Sequence, residues 1–378
     1  MPGDLYYRLT VSASGVSYEA SDDLSSLTIE QSEGVPDSLV AELADPFKVL
    51  SHAIQEGMDV EAELGTDDDH AVVFRGRIYK VNGSFPTQQT PTVAVNAYDP
   101  SMQMGLRKRN RVWPADSALS DIVQSIASDY FSKVEIKLLG DPTFTGNGLR
   151  QQEETDLAFL RRLAATYGCI LYVTAGDDDD TLHFIAQYAA MTMDPAVAVY
   201  YGRSDVDNRL LSFDSSVDAS QIELPRVLSG IDYDTGEATE IDTTNVQNAG
   251  TTDDDFFSEN LAALGAAQPD KASRLGDLIA AASAAQAALR TDLGTSVREA
   301  TSTFISEEQQ SVIAQNQFST SLLGMRGRGT SVGIRQLVAQ TNILIGDVGG
   351  RFSGTWFLSQ VRHILDEQGY HSEFECRR

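Results

Sequence analysis

Gly346-Asp-Val-Gly349-Gly-Arg351-Phe352-Ser-Gly354-Thr-Trp356-Phe-Leu-Ser-Gln-Val361-Arg-His363-Ile-Leu-Asp-Glu367-Gln-Gly369-Tyr370-His371-Ser-Glu-Phe374-Glu-Cys376-Arg-Arg378 is the most informative stretch of the sequence. A glycine-rich turn, Gly346–Gly354, precedes two runs of β-branched and aromatic residues, Thr355–Val361 and Tyr370–Glu375. The turn Glu367–Gly369 separates them, so the stretch reads as turn, strand, turn, strand. Just upstream, Gly333–Ile334 and Thr341–Ile345 have the same character.

Working outward, β signals recur at the other end. Leu5–Ser14, Leu24–Gln31, Asp59–Leu64, Ala71–Asn82 and Thr92–Tyr98 are short runs separated by turn clusters. Phe74-Arg-Gly-Arg-Ile-Tyr-Lys-Val81 alternates well enough to face a core on one side. Short strands with regular turns imply a small barrel or sandwich. The character changes at Trp113-Pro114. Leu119, Ile122, Val123, Ile126 and Tyr130 are at helical spacing, and a strand-like run follows at Val134–Leu139. Thr155 is placed to cap a helix with Asp156 in its first turn, and Gly168 to end it. Ile170–Thr174 and Thr181–Ala186 then read as a hairpin. Ala196–Tyr201, Leu210–Phe213 and Val227–Tyr233 return to β. A polar linker, Thr243–Asp255, leads to a helical stretch over 256–290, and Ser306-Glu-Glu-Gln309 is a capping box for a further helix.

The expected fold class is therefore α+β, mainly β. Two small barrels carry an inserted α/β domain and a helical excursion. The expected units are 1–113 (first barrel), 114–190 (inserted α/β domain) and 191–245 plus 325–378 (second barrel), with 246–324 as an acidic linker and helical insertion.

Composition limits the function. The 378 residues carry 55 Asp+Glu against 28 Lys+Arg, a net charge of −27. Nucleic-acid-binding proteins present a basic face to phosphates, and membrane-surface proteins a polybasic one; this chain offers neither. The cations are mainly arginine, with Lys only at 48, 80, 108, 133, 137 and 271. Acidic, lysine-poor surfaces stay soluble by self-repulsion, as in halophiles. The two cysteines, Cys169 and Cys376, are far apart, so neither a disulfide framework nor a zinc ribbon is expected. No signal peptide or membrane-spanning segment is visible.

No catalytic pattern emerges. His52, His70, His183, His363 and His371 are scattered, with no H-E-x-x-H. His363 and His371 could face each other on a hairpin, but no third ligand type completes a metal site. Asp67–Asp69, Asp177–Asp180 and Asp253–Asp255 read as solvated turns. Asp232-Tyr-Asp-Thr-Gly236 starts like a calcium loop and fails at its fifth and twelfth positions. Gly327-Arg-Gly329-Thr-Ser-Val-Gly333 lacks the spacing and the strand–turn–helix context of a nucleotide loop. The expectation is no enzyme, no cofactor and no metal.

Two stretches carry a family resemblance. Arg150-Gln-Gln-Glu-Glu-Thr155-Asp156-Leu-Ala-Phe-Leu-Arg-Arg-Leu163, with Tyr167-Gly168 following, resembles the E-S/T-D-x-x-F-L-x-R-L segment in hub domains of contractile injection machines. The stretch Gly346–Arg378 is similar to the C-terminus of the late-control D family of phage tail proteins. That family resembles the T-even baseplate hub and the hub part of type VI spike proteins. The likeness covers nearly the whole chain. The chain departs from the family at Ile334 and Gln340, where members show Pro and Gly, and its helical stretch is longer.

The resemblance implies a structural baseplate hub in a virion tail, assembled in the host cytoplasm. It implies a homotrimer whose paired barrels form a pseudo-sixfold ring between a sixfold tail tube and a threefold spike. Expected partners are other copies, a separate spike protein, the tube or its initiator, and other baseplate proteins. DNA would pass through the channel without specific binding, past a lining rich in the acidic residues. Arg326 and Arg328 are expected to pair with carboxylates at a subunit or partner interface, or else to sit in an exposed loop. Arg351, Phe352 and Trp356 are expected as interface residues, with the core as the other reading of the two aromatics. A tail-associated cell-wall-degrading enzyme is the alternative.

Overall fold

The computed structural model describes residues 4–144, 148–176, 179–218, 226–231, 238–242, 254–293, 297–300 and 324–378. The first barrel is built from β1 (Leu5–Ala13), β2 (Val16–Glu19), β3 (Leu24–Ser32), β4 (Ser38–Ala44), the one-turn helix α1 (Leu50–Ala53), β5 (Asp59–Thr66), β6 (Asp69–Ser84) and β7 (Thr92–Tyr98). Alternation positions these strands. Leu39, Ala41 and Leu43 of β4 and Val93, Val95 and Ala97 of β7 point inward and are buried, and their neighbours point out. The strand order is β3-β4-β7-β6-β5-β1-β2. Leu9 and Val11 at one end share a core with Leu27 and Ile29 at the other, so the sheet rolls onto itself.

Next come α2 (Ser101–Met104), β8 (Lys108–Trp113), α3 (Leu119–Ala127), β9 (Lys133–Lys137), β10 (Leu149–Thr155), α4 (Asp156–Thr166), β11 (Cys169–Thr174), β12 (Thr181–Ala186) and α5 (Gln187–Met191). The Thr155 hydroxyl accepts a hydrogen bond from the Ala158 amide at 3.2 Å, and Gly168 follows α4 at φ +60°. The hairpin β11–β12 forms as the sequence reading expects, with β9 added in parallel beside β12. Leu119, Ile122, Val123, Phe159, Leu160 and Phe184 fill the core of this unit.

The second barrel uses β13 (Val197–Tyr201) and β14 (Arg209–Val217). β15 (Arg226–Ile231), β16 (Ala238–Asp242), α6 (Asp254–Ala267), α7 (Pro269–Leu293) and β17 (Val297–Ala300) intervene. β18 (Met325–Val332), β19 (Asn342–Gly346), β20 (Gly354–Asp366) and β21 (Gly369–Arg377) complete it. Six strands, β19-β13-β14-β18-β21-β20, form a ring closed by the β19–β20 pairing. β20 also pairs with β3, Gln360–Leu365 against Leu27–Ser32, so both barrels belong to one thirteen-stranded sheet. The chain is mainly β, with two barrel-like halves, an α/β unit and a helical excursion.

Two expectations need correction. Lys108–Trp113 does not extend the first barrel; it pairs with β10. Its alternation is charged, with no apolar face to offer a barrel core. Arg226–Ile231 and Ala238–Asp242 lie outside the second barrel and form a separate sheet with β17, because a closed ring has no edge left to receive them. The helical stretch is two helices, broken where Pro269 opens the second. The capping box at Ser306 lies outside the described residues.

Gly327 and Gly329 have a packing role. Both face inward on β18. A Cβ on Gly329 would stand 2.4 Å from the Phe374 ring, and one on Gly327 would stand 2.7 Å from the Phe213 ring. The Gly-Arg-Gly alternation therefore puts aromatic rings inside the barrel and guanidinium groups outside it.

Candidate functional site

The outward faces of β18, β21, β20 and β3 form a ladder of charge across the seam between the barrels. The alternation that buries Phe374 and Cys376 turns Glu373, Glu375 and Arg377 outward. Strand register fixes two rows. One runs Asp214, Arg328, Glu375, Gln360, Ser32 and the other Thr330, Glu373, Arg362, Glu30. Arg328 pairs with Glu375 at 2.6 Å, Arg362 with Glu373 at 2.8 Å and with Glu30 at 4.0 Å, and Arg377 with Glu33 at 2.8 Å. Gln360 donates to Glu30 at 2.7 Å. The rows border a shallow cavity of about 420 Å³. Exposed pairs of this kind contribute about 0–1 kcal/mol each. The ladder is a patterned surface more than a source of stability, suited to matching a partner of complementary charge.

The expected residues fall into two sets. Arg326 and Arg328 are exposed and share β18, so they sit on a strand, not in a loop. Arg328 finds its carboxylate, Glu375, within the same chain. Arg326 stands opposite Arg377 in the register. Arg351 and Phe352 lie in the turn between β19 and β20, with the guanidinium 6.0 Å from the ring centre. Among the described residues no hydrogen bond or ion pair joins this turn to Arg326 or Arg328. Trp356 is fully buried in the second barrel, its Nε1 donating to the Phe352 carbonyl at 2.9 Å. As an interface residue it is corrected: an inward position on β20 makes it core.

The histidine pair does not meet. His363 pairs in register with Ser372, and His371 with Ile364, so the two rings lie on opposite faces of the hairpin. His363 is buried, with Nε2 3.0 Å from the Leu337 carbonyl and Nδ1 2.8 Å from the Tyr370 hydroxyl. Burial drives its pKa down to about 4. Two of the acidic runs find arginines. Asp69 receives Arg335 Nε at 3.0 Å, and Asp180 receives Arg75 at 3.0 Å, a link from the first barrel to the α/β unit. Among the described residues no group of three His, Cys, Asp or Glu could hold a metal, and no helix is long and apolar enough to cross a membrane.

One surface went unread in the sequence. The loop after β4 turns Phe47 and Val49 to solvent beside the β1–β2 hairpin, around an apolar groove of about 640 Å³. Its signal is Asp45-Pro-Phe-Lys-Val49, apolar residues in a turn where polar ones are expected.

Solved structures share this fold at low identity. The 43 kDa tail protein of prophage MuSo2 from Shewanella oneidensis superposes with a TM-score of 0.63 at 12% identity, covering 99% of this chain and 98% of that one. A tail protein from Neisseria meningitidis MC58 gives 0.60 at 12%, covering 98% and 96%. An Escherichia coli protein described as a component of the type VI secretion system gives 0.57 at 9%, covering 97% of this chain and 76% of that one. No curated protein matches the chain. A family model described as the Alg8 N-terminal domain matches residues 45–288, and the chain belongs to that family.

Proposed function

We propose that the chain is the hub of a contractile tail or related injection machine, of the late-control D type, present in the tail baseplate and assembled in the host cytoplasm. Three copies close into a ring that joins a sixfold tube to a threefold spike. The observation that carries this reading is the fusion of two barrels through β20 into one sheet. Two similar barrels per chain, taken three times, supply six barrel positions on a threefold axis. The fold shared with tail proteins over almost the whole chain supports the same reading.

In this reading the ladder across β18, β21, β20 and β3 is an assembly surface. Arg326 and Arg328 are its exposed cations, Arg328 bridged to Glu375, and Arg351 and Phe352 form a second contact. The barrels come from the units 1–113 and 191–245 plus 325–378, less the strands that pair elsewhere. The spike, tube and other baseplate proteins are separate partners. The acidic excess lines the channel, where it repels DNA or cargo phosphates and prevents sticking. The chain is structural and performs no catalysis.

Native mass spectrometry of the purified chain, with and without its candidate spike, tests the reading. A stable trimer that gains the spike supports it, and a monomer with hydrolytic activity overturns it.

A further inference from the structure

We infer that the outward face of β8 and β10 docks against the acidic surface of a second copy of this chain. This contact rests on the ring proposed above, whose copies it joins. Copies at −27 each repel one another, so a contact between them needs cations that their own carboxylates leave free. Many arginines are already engaged within the chain. On the ladder, Arg328, Arg362 and Arg377 have Glu375, Glu373 and Glu33.

At β8 the charge of the chain reverses. No Asp or Glu occurs between Asp99 and Asp116, yet Arg107, Lys108, Arg109 and Arg111 fall within five residues. Strand alternation divides them. Arg109 and Arg111 turn inward to the buried Asp156. Lys108, Asn110 and Val112 are exposed on the other face. The register sets Arg150 of β10 opposite Val112, on that same outward face, where it too is exposed. Among the described residues no carboxylate pairs with Arg107, Lys108 or Arg150. Of the two carboxylates on these strands, Glu154 is bonded to Arg162 at 3.0 Å and Glu153 lies exposed in the bulge of β10.

Charge and apolar area together select the occupant. Leu106 (57% exposed) precedes Arg107, and Val112 (68% exposed) stands beside Arg150, so the cations lie between apolar ends. Such a face matches a protein surface that carries carboxylates and can cover both ends. A DNA duplex fits it poorly. Proteins that hold one make about 6–10 phosphate contacts, and Arg107, Lys108 and Arg150 fall short of that. The acidic surface that the ring brings alongside each copy is the next copy, itself at −27.

The test treats the assembled full chain with a carbodiimide, which joins an amine to a carboxylate where the two touch. Covalent dimers are expected on a denaturing gel, with Lys108 joined to an Asp or Glu in their peptides. Lys108→Arg keeps the charge but removes the amine, so it should still assemble and lose most of that dimer. Arg107→Glu, Lys108→Glu and Arg150→Glu together should weaken self-association, followed by sedimentation, at least about tenfold. All three side chains are exposed, so circular dichroism of that variant should match the parent. Three outcomes overturn the inference. One is no covalent dimer, or as much from Lys108→Arg as from the parent. Another is self-association of the triple variant as tight as the parent's. The third is a DNA duplex held by the parent and released by the triple variant, which would make phosphate the occupant. A trimer without the Lys108 link removes this contact and spares the ring. A Lys108 link between copies in a particle that is not threefold removes the ring and spares the contact.

Discussion

The guanidinium of Arg111 on β8 closes on the carboxylate of Asp156, the first residue of α4, whose side chain is fully buried. Gln151 and the Tyr130 hydroxyl each donate to the same carboxylate at 2.7 Å. A buried charge this fully satisfied is stable only while its partners remain. Asp156→Ala should therefore cost about 1–3 kcal/mol, because it takes the acceptor away from the Tyr130 hydroxyl and the buried Gln151 amide while Arg111 keeps Asp129. Asp156→Asn, which keeps the shape and one acceptor, should cost less. Urea denaturation midpoints of the two variants check the order.

His363 predicts a pH dependence. The Leu337 carbonyl can only accept, so Nε2 carries the proton and Nδ1 accepts from Tyr370. Burial lowers the folded pKa to about 4, below the ordinary 6.5, so the unfolded chain binds the proton first. Stability from this group is intact above pH 6.5 and is lost as pH falls from 6.5 towards 4, by about 3 kcal/mol in all. Asp37 and Asp99 act in the opposite sense, since burial pushes both carboxyls up. The readout is thus the difference in melting temperature between the parent and His363→Gln, which should change across that window and stay flat above it.

Gly329→Ala tests the packing inside the second barrel. The added Cβ meets the ring of Phe374, which is walled in by the barrel core. A loss of about 2–3 kcal/mol is expected from overpacking, read by thermal denaturation. A Gly329→Ala chain as stable as the parent would show that the ring can move aside.

Arg328→Ala separates assembly from folding. The pair with Glu375 is largely solvent-exposed, so the substitution should change stability by less than about 1 kcal/mol. In the proposed ring, Arg326→Glu with Arg328→Glu should weaken trimer or spike assembly while leaving the melting curve of the isolated chain nearly unchanged. Sizing and pull-down measure the first effect and calorimetry the second.

Both thiols should be silent in the native chain. Burial raises the Cys169 thiol to about 12 and pushes the Cys376 thiol well up, so neither forms thiolate at pH 8. A thiol reagent should label the folded chain at neither position and the urea-unfolded chain at both.

Local physics was readable in the sequence, and long-range pairing was not. Thr155, Asp156 and Gly168 mark the ends of α4 because capping involves only neighbours in the chain. The β11–β12 hairpin followed from two runs and a turn. By contrast, Arg226–Ile231 looks like any barrel strand. Only its pairing with Val297–Ala300 excludes it from the ring. Gly327 and Gly329 suggested a loop because their true partners, Phe213 and Phe374, are distant in sequence. The ladder was half visible as Arg326 and Arg328, but its carboxylates arrive from β3 and β21 through register. Phe47 passed unnoticed because a single exposed aromatic has no period to detect.

The sharing of β20 between the barrels also bears on how the chain is made. Glu30 on β3 leaves the ribosome 330 residues before Gln360, the side chain that meets it on β20. Until then the first sheet has a bare margin at β3, and the second ring stays open where β20 will close it. Contacts so distant in sequence are slow to form, and unpaired margins invite aggregation meanwhile. Translation that halts before Gly354 yields two unfinished barrels rather than one finished and one missing. Such a product has no intact half, so completion of the last long strands decides whether either barrel closes.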